Sequence, residues 1–513
     1  MSKGNHTDNL SDTEPQSRID TLSIDAEACY RALMSRDRRF DGKFFVGVST
    51  TGIYCRPVCR VRSPMQRNCN FFETAAEAEV AGFRPCLLCK PENAPAWSNI
   101  DISEHLASAA TELMRSNLHS SVSDIAERLG VSDRHLRRVF ESRFGIRPIN
   151  YLQTQRRLMA KRLLGQTDLQ IAEIAIASGF GSARRLNASF KETYDKTPRE
   201  FRNTSNTKTR SSTNKGNANN HASGLNFVLS FREPYDFKRL LGFLSSRTID
   251  GVEYADESSY SRIIRIPAGG KASDHIGWLR VSEGKGELLL SASEELAPCI
   301  ATVISRVRHI FDLDAEPSAY LPVLGKLAEN NTGIRLPGAA DGFELAVRAV
   351  LGQQITVKAA RTLATRFVDR FGEPVKDCEI PQLTYAFPSA ARISRVQAPS
   401  IAKLGIIRRR ADTIRLLAKA IDSGDLDLSP AAEPESTIKA LCELPGIGEW
   451  TAHYLTMRAL HWPDAFPAAD YGVMKALGID KPAAAKKMAQ DWRPWRAYAV
   501  MHLWNSLHKE EKA

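Results

Sequence analysis

Four cysteines constrain the chain most tightly. Cys55-Arg-Pro-Val-Cys59 and Cys86-Leu-Leu-Cys89 are two close pairs, separated by the 26 residues from 60 to 85. Nine cysteines in 513 residues are an odd number and too few for a disulfide scaffold, so the pairs read as a metal site. Two short-spaced pairs on two turns supply the four tetrahedral thiolates that Zn²⁺ prefers. One zinc held by Cys55, Cys59, Cys86 and Cys89 is therefore expected, and on spacing alone its role can be purely structural. Cys29, Cys69, Cys299, Cys378 and Cys442 have no paired spacing and read as core or incidental thiols.

At roughly 100–200 residues per domain, the chain makes about three to five domains. With 43% hydrophobic and 25% charged residues it is neither wholly disordered nor fibrous. No apolar run reaches the ~18 residues that span a bilayer, and the polar N-terminus lacks the apolar segment of a secretory signal. A cytoplasmic, nucleoid-associated bacterial protein with no membrane partner is the expectation. Lys and Arg number 70 against 59 acidic residues, a net charge of +11 that points to nucleic acid. Residues 1–18 read as a disordered tail, and the polar stretch 203–223 as a flexible linker between two functional halves.

The first half divides into a Cys-rich domain over 19–97 and a helical domain over 98–202 that contains an internal repeat. One copy runs from Asp124-Ile-Ala-Glu-Arg-Leu-Gly130 to Leu136-Arg-Arg-Val-Phe140. The other runs from Glu173-Ile-Ala to Gly179, then Leu186-Asn-Ala-Ser-Phe190, with one extra residue in its turn. Helix, Gly-containing turn, helix is the helix-turn-helix pattern. Ser132 would cap the second helix of the first unit, which carries Arg134, Arg137 and Arg138. Arg184, Arg185 and Asn187 lie on the corresponding helix of the second. Arginine can bond bidentately to guanine in the major groove, although each of these can equally be a solvated surface residue.

Phe45-Val-Gly-Val-Ser-Thr-Thr-Gly-Ile-Tyr-Cys55 through Arg62, followed by Ala81-Gly-Phe-Arg-Pro-Cys86, resembles the N-terminal domain of the Ada family over about Asp25 to Pro91. The resemblance implies that Cys55 irreversibly accepts a methyl group from a methylphosphotriester in DNA, with Arg62 and Arg84 facing the DNA. Leu106 to Arg202, with Gly179-Phe180 and Thr197-Pro-Arg-Glu-Phe-Arg202, resembles the AraC-type DNA-binding domain. The pair implies a methylation-responsive transcriptional activator, a monomer that works with RNA polymerase.

In the second half, Leu225 to Phe231, Ser261 to Ile266 and Glu287 to Ser291 read as strands, with helices around Leu240 and Ile304, so 224–338 is expected to be α+β. Apolar residues at three and four spacings from Gly342 onward predict an all-α domain over 339–513. Leu444-Pro-Gly446-Ile-Gly448 is a hairpin whose backbone N–H groups can meet a phosphate at a helix start. With Asp470 in Phe466-Pro-Ala-Ala-Asp470-Tyr, it resembles the helix-hairpin-helix DNA glycosylases. Phe343 to Gln353, Trp450-Thr-Ala-His-Tyr454 and Trp492-Arg-Pro-Trp495 to Trp504 narrow the likeness to the AlkA 3-methyladenine glycosylases.

This resemblance implies Asp470 as catalytic carboxylate, a base pocket of Trp450, Tyr454 and Trp504, and double-stranded DNA held at Gly446, Gly448 and Gln354. It also implies a monovalent cation at the hairpin carbonyls. Strand-cleaving relatives carry a Lys where this chain has Trp450, so hydrolysis without strand cleavage is expected. The chain departs from the AlkA pattern at Ala469, where an acidic residue is usual, and at Gln354, where the DNA wedge is apolar. The iron–sulfur cluster motif and the Pro-Cys-His-Arg motif of O6-methylguanine methyltransferases are absent. The expected whole is multidomain: a small four-cysteine zinc domain, an all-α double helix-turn-helix domain, an α+β AlkA N-terminal domain and an all-α helix-hairpin-helix glycosylase domain. The competing reading is an AraC-type transcription factor with structural zinc and a non-catalytic C-terminal DNA-binding module.

Overall fold

The computed structural model describes residues 26–95, 105–209, 224–268 and 273–510. In the first domain four short strands form a sheet in the order Cys69–Phe72, Phe45–Val48, Ile53–Cys55, Arg84–Pro85. The last pair is parallel, with Tyr54 opposite Pro85. Both strands therefore run out at the same end, and the next residue of each register pair is a cysteine. Strand pairing, not chain proximity, brings Cys55 to Cys86.

The second domain holds two helix-turn-helix units, Val122–Arg128 with Asp133–Phe144 and Ile171–Ala177 with Ala183–Tyr194. Ser132 and Ser182 cap the second helices by accepting the amides of His135 and Arg185. Such caps satisfy one of the four N–H groups left free at a helix start. The uninterrupted helix Pro148–Gln166 joins the units. Leu136, Phe140 and Leu152 fill the first core, and Leu186, Phe190 and Phe201 the second.

The final helix of this domain runs Pro198–Thr209, so the first part of the stretch read as a linker from 203 is helical. Residues 210–223 and the tail 1–18 lie outside the described residues. The separation of the two halves also needs correcting. Ile174, Ala177, Phe190 and Phe201 belong to the same buried cluster as Leu225, Phe227, Leu229 and Ile300. A polar connecting sequence carries no information about whether the surfaces on either side of it match, and here they do.

The second half opens with a five-stranded antiparallel sheet. Its order is Leu225–Ser230, Glu287–Ala292, His275–Glu283, Ser259–Ile266, Glu253–Ala255. Helices Phe237–Ser245 and Ile300–Ile310 pack on it. Two of these strands, Glu253–Ala255 and His275–Glu283, were not legible from apolar runs because one is three residues long and the other carries His275, Gly277 and Glu283. The remainder is helical apart from the two-residue pair Glu373–Pro374 with Tyr385–Ala386. Its core is built on Gly342–Gly352, Val357–Phe371 and Arg408–Ser423. In a second cluster under Arg496–Glu510, Tyr320 and Tyr498 stack with ring centres 4.2 Å apart and Trp495 packs beside both.

Candidate active sites and nucleic-acid interface

The sulfur atoms of Cys55, Cys59, Cys86 and Cys89 all lie within 4.8 Å of one another, and none of the nine cysteines forms a disulfide. Four thiolates that close repel unless a cation sits among them, so the donor set fits one zinc. The amides of Arg56 and Leu88 donate to Cys89 Sγ at 3.3 Å and Cys86 Sγ at 3.4 Å. These bonds fix the orientation of the sulfurs, as outer-shell partners of metal ligands do. Arg62 and Arg84 are exposed.

The five arginines of the two repeats are also exposed on their helices. Arg137 pairs with Asp133 at 2.6 Å and Arg138 donates to His135 Nδ1 at 3.1 Å. Arg134 on the first of these helices and Arg184 and Arg185 on the second are further exposed cations.

In the helical domain, the hairpin Leu444 to Gly448 links helices Pro434–Glu443 and Glu449–Arg458. Gly446 has φ +94°, and a Cβ there would lie 2.1 Å from Thr413 Oγ1. Gly448, the cap of the second helix, has open space where a Cβ would go. The first glycine is demanded by the fold; the second leaves room for something outside it. Gln353 Nε2 donates to Gly446 O at 3.0 Å, which ties the hairpin to the turn that carries Gln354. Gln354 is exposed there with φ +55°, a left-handed conformation costly for a residue with a Cβ.

Asp470 starts the helix Tyr471–Leu477 and accepts the amide of Val473 at 3.0 Å. It also accepts two indole N–H groups, from Trp450 at 2.9 Å and Trp504 at 2.8 Å. Trp450 stacks on Tyr454 with ring centres 5.6 Å apart at 12°, and Trp504 lies 6.5 Å from Tyr454. One carboxylate and three aromatic rings from three helices thus meet at a half-buried wall. The loop leading to Asp470 is pinned by the buried pair of Arg496 with Asp464 at 2.6 and 2.9 Å.

Four family models match this chain. They are the metal binding domain of Ada over residues 28–92, a helix-turn-helix domain over 125–204, the AlkA N-terminal domain over 226–341 and the HhH-GPD superfamily of base excision DNA repair proteins over 347–496. The chain is also 34% identical over 501 residues to the Mycobacterium tuberculosis "Probable bifunctional transcriptional activator/DNA repair enzyme AlkA", covering 94% of this chain and 97% of that one. The chain belongs to this family of fused Ada- and AlkA-type proteins. DNA-3-methyladenine glycosylase 2 of Escherichia coli is 31% identical over 280 residues, 54% of this chain and 96% of its own. The E. coli Ada protein is 32% identical over 174 residues, 34% of this chain and 48% of its own.

Within the AlkA-type half, two residues of the site escape motif reading. Phe243, from the α+β domain, stacks on Trp504 with centres 6.4 Å apart at 11° and adds a fourth ring. The guanidinium of Arg247 lies 3.8 Å from the centre of that ring, and Arg458 donates to the Tyr454 hydroxyl at 2.9 Å. Burial would raise the pKa of Tyr454, but the guanidiniums of Arg458 and Arg247 outweigh it and hold the hydroxyl below its ordinary value. Gly472 is the other: a Cβ there would lie 2.9 Å from Trp504 and 3.1 Å from Asp470 Oδ1, so only glycine lets indole and carboxylate meet. Neither residue is flagged by type or spacing; both matter because of what approaches them in space.

Proposed function

We propose that this chain repairs alkylated DNA and regulates that repair. Its second half is a DNA glycosylase that hydrolyses the N-glycosidic bond of alkylated bases such as 3-methyladenine. The observation that carries this reading is the Asp470 carboxylate held by two indoles at an aromatic wall. A base inside a duplex cannot reach that wall, so the nucleotide leaves the stack, with Gln354 at the gap and hairpin amides of Gly446 and Gly448 on the phosphate. Cationic alkylated purines favour the faces of Trp450, Tyr454 and Trp504. As the base departs with the bonding electron pair, positive charge builds on the sugar. Asp470 stabilises it and orients the attacking water. With Trp450 where a Schiff-base lysine would stand, the abasic strand is left uncut. A monovalent cation at the hairpin carbonyls is part of this reading.

In the first half, Cys55, Cys59, Cys86 and Cys89 would hold one zinc, which would keep their sulfurs as thiolates in a centre of net charge about −2. Cys55 Sγ attacks the methyl carbon of a neutral methylphosphotriester, the carbon–oxygen bond breaks, and the phosphodiester leaves as an anion. An ordinary diester is repelled by the same centre. With Cys55 turned from thiolate to thioether, the four-cysteine site would carry one negative charge fewer, which would strengthen DNA binding by Arg62, Arg84 and the helix-turn-helix arginines. The chain then acts as an activator that contacts RNA polymerase, as a cytoplasmic monomer. No helix among the described residues is long and apolar enough to cross a membrane.

Two assays on purified protein test this reading. Alkylated duplex should release free 3-methyladenine without strand breaks, and methylphosphotriester DNA should add one methyl to Cys55 in a peptide map. Cys55→Ser should take up none. A non-catalytic C-terminal module would release no base.

A further inference from the structure

The residue after the methyl acceptor does not face solvent. Arg56 is 8% exposed. Its amide donates to Cys89 Sγ at 3.3 Å and its Nη1 to Cys89 O at 3.1 Å. The other face of the guanidinium is bidentate on Asp41, with Nε at 2.8 Å from Oδ1, and Nη2 also reaches Ser230 Oγ of the AlkA-type sheet at 3.3 Å. Asp41 continues the connection, because its backbone carbonyl accepts Arg232 Nε at 3.0 Å. Arg232, 1% exposed, ends on the carbonyls of Asp314 at 2.7 Å and Ala315 at 3.3 Å. An unbroken run of buried polar groups thus leads from the cysteine centre into the glycosylase half.

The contact around this run is built differently from the rest of the junction. The second helix-turn-helix unit shares an apolar core with the sheet. The Cys-rich domain instead meets the glycosylase half through Lys43 with Glu316 and Arg38 with Glu233 at 2.7 Å. Beside these pairs lies a cavity of about 510 Å³, walled by Lys43, Phe144, Arg162, Arg232, Ile304 and Arg308. A polar, hollow contact has little buried apolar area to hold it and resembles a reversible interface more than a domain core. The apolar contact fixes the helix-turn-helix domain, and the Cys-rich domain is tied to its helix Pro148–Gln166 by Lys161 on Glu92 at 2.6 Å and by Leu158 packed with Phe45 and Tyr54, so loosening is confined to the polar contact with the glycosylase half.

We infer that Arg56 is a positioning residue that docks the methyl-acceptor domain on the glycosylase half, and that methylation of Cys55 loosens this docking. The inference rests on Cys55 as methyl acceptor. Methyl transfer turns one thiolate into a neutral thioether, so the centre that attracts the Arg56 guanidinium loses one negative charge. The network is shared, so what weakens Arg56 on the cysteine side also weakens its hold on Asp41 and Ser230.

The test uses the full-length zinc-loaded chain. A carbodiimide joins Lys43 to Glu316 only while the contact is closed. Treatment with methylphosphotriester DNA should lower the yield of that cross-link and raise amide exchange in 38–44 and 228–233 by about tenfold, with exchange in 171–177 unchanged. Arg56→Met should match the methylated state without any methyl, and Arg56→Lys should restore most of the cross-link. Arg232→Met, remote from the cysteines, should open the contact at full zinc content. If Cys55 gains the mass of a methyl group and cross-link and exchange stay as before, the coupling is overturned and the acceptor role stands. If no methyl is taken up, both fall.

Discussion

Asp470 holds two assignments that usually compete, helix cap and reacting carboxylate. The same Oδ1 accepts Val473 N–H and Trp504 Nε1, while Oδ2 takes Trp450. This overlap decides which substitution is informative. Asn keeps the cap and the Trp504 bond through Oδ1 but turns its NH2 toward the Trp450 indole N–H, so Asp470→Asn should lose about 1 kcal/mol of stability and keep DNA affinity while base release falls about 10²–10⁴-fold. Asp470→Ala would add about 1 kcal/mol of lost capping and blur the reading. Single-turnover release of 3-methyladenine alongside a binding titration checks this; near-normal release by Asp470→Asn would defeat the mechanism. At this scale the sequence is legible where chemistry imposes a residue type at a fixed spacing, as with the four cysteines and the aspartate after the hairpin. Phe243 and Gly472 were illegible because one arrives from another domain and the other matters through the space it leaves.

At the scale of elements, the hairpin separates two uses of glycine that look identical in Pro-Gly-x-Gly. Gly446 combines φ +94° with a Cβ position 2.1 Å from Thr413 Oγ1, so Gly446→Ala should lower stability by more than the ~1–2 kcal/mol of a left-handed alanine alone. Gly448 has nothing near its missing Cβ. Gly448→Ala should therefore cost no more than the ~0.5–1 kcal/mol of a poorer helix cap and lose DNA affinity, because the methyl group would project where a phosphate approaches the helix start. Melting curves and binding isotherms for the pair separate the two roles, and equal stabilities would show that packing does not distinguish them. The repeat was readable at this scale because each unit carries its own cap and its own turn, including the extra residue of the second turn, 178–182 against 129–132.

The whole molecule is where sequence reading fell shortest. Two halves joined by a polar stretch read as independent, yet their facing surfaces share a core, a property of three-dimensional complementarity that no local pattern encodes. One consequence is a common sensitivity to acid. Burial pushes His502 down to about 4 and holds His309 well below its ordinary value. Above pH 6.5 such groups are neutral folded or unfolded and contribute nothing. As pH falls from 6.5 toward 4, the unfolded chain takes up protons that the folded chain refuses, so stability declines across that window. For His502 alone the loss is on the order of 3 kcal/mol at its lower end. Urea unfolding at stepped pH should show it, and His502→Gln should flatten the slope by about one proton. The helix Pro148–Gln166 has a consequence of another kind. Nineteen residues make a rod about 28 Å long, a little under the 34–36 Å pitch of B-DNA. If the exposed second helices of both units read bases, as proposed, a rod of this length would set them on neighbouring major grooves along one side of the duplex. Five base pairs inserted between the two half-sites would carry the second to the opposite side, beyond the reach of a straight helix, and ten would leave it facing correctly but too distant. On that reading the promoters for this chain would carry their two half-sites at one fixed interval, set by the length of a single connecting helix.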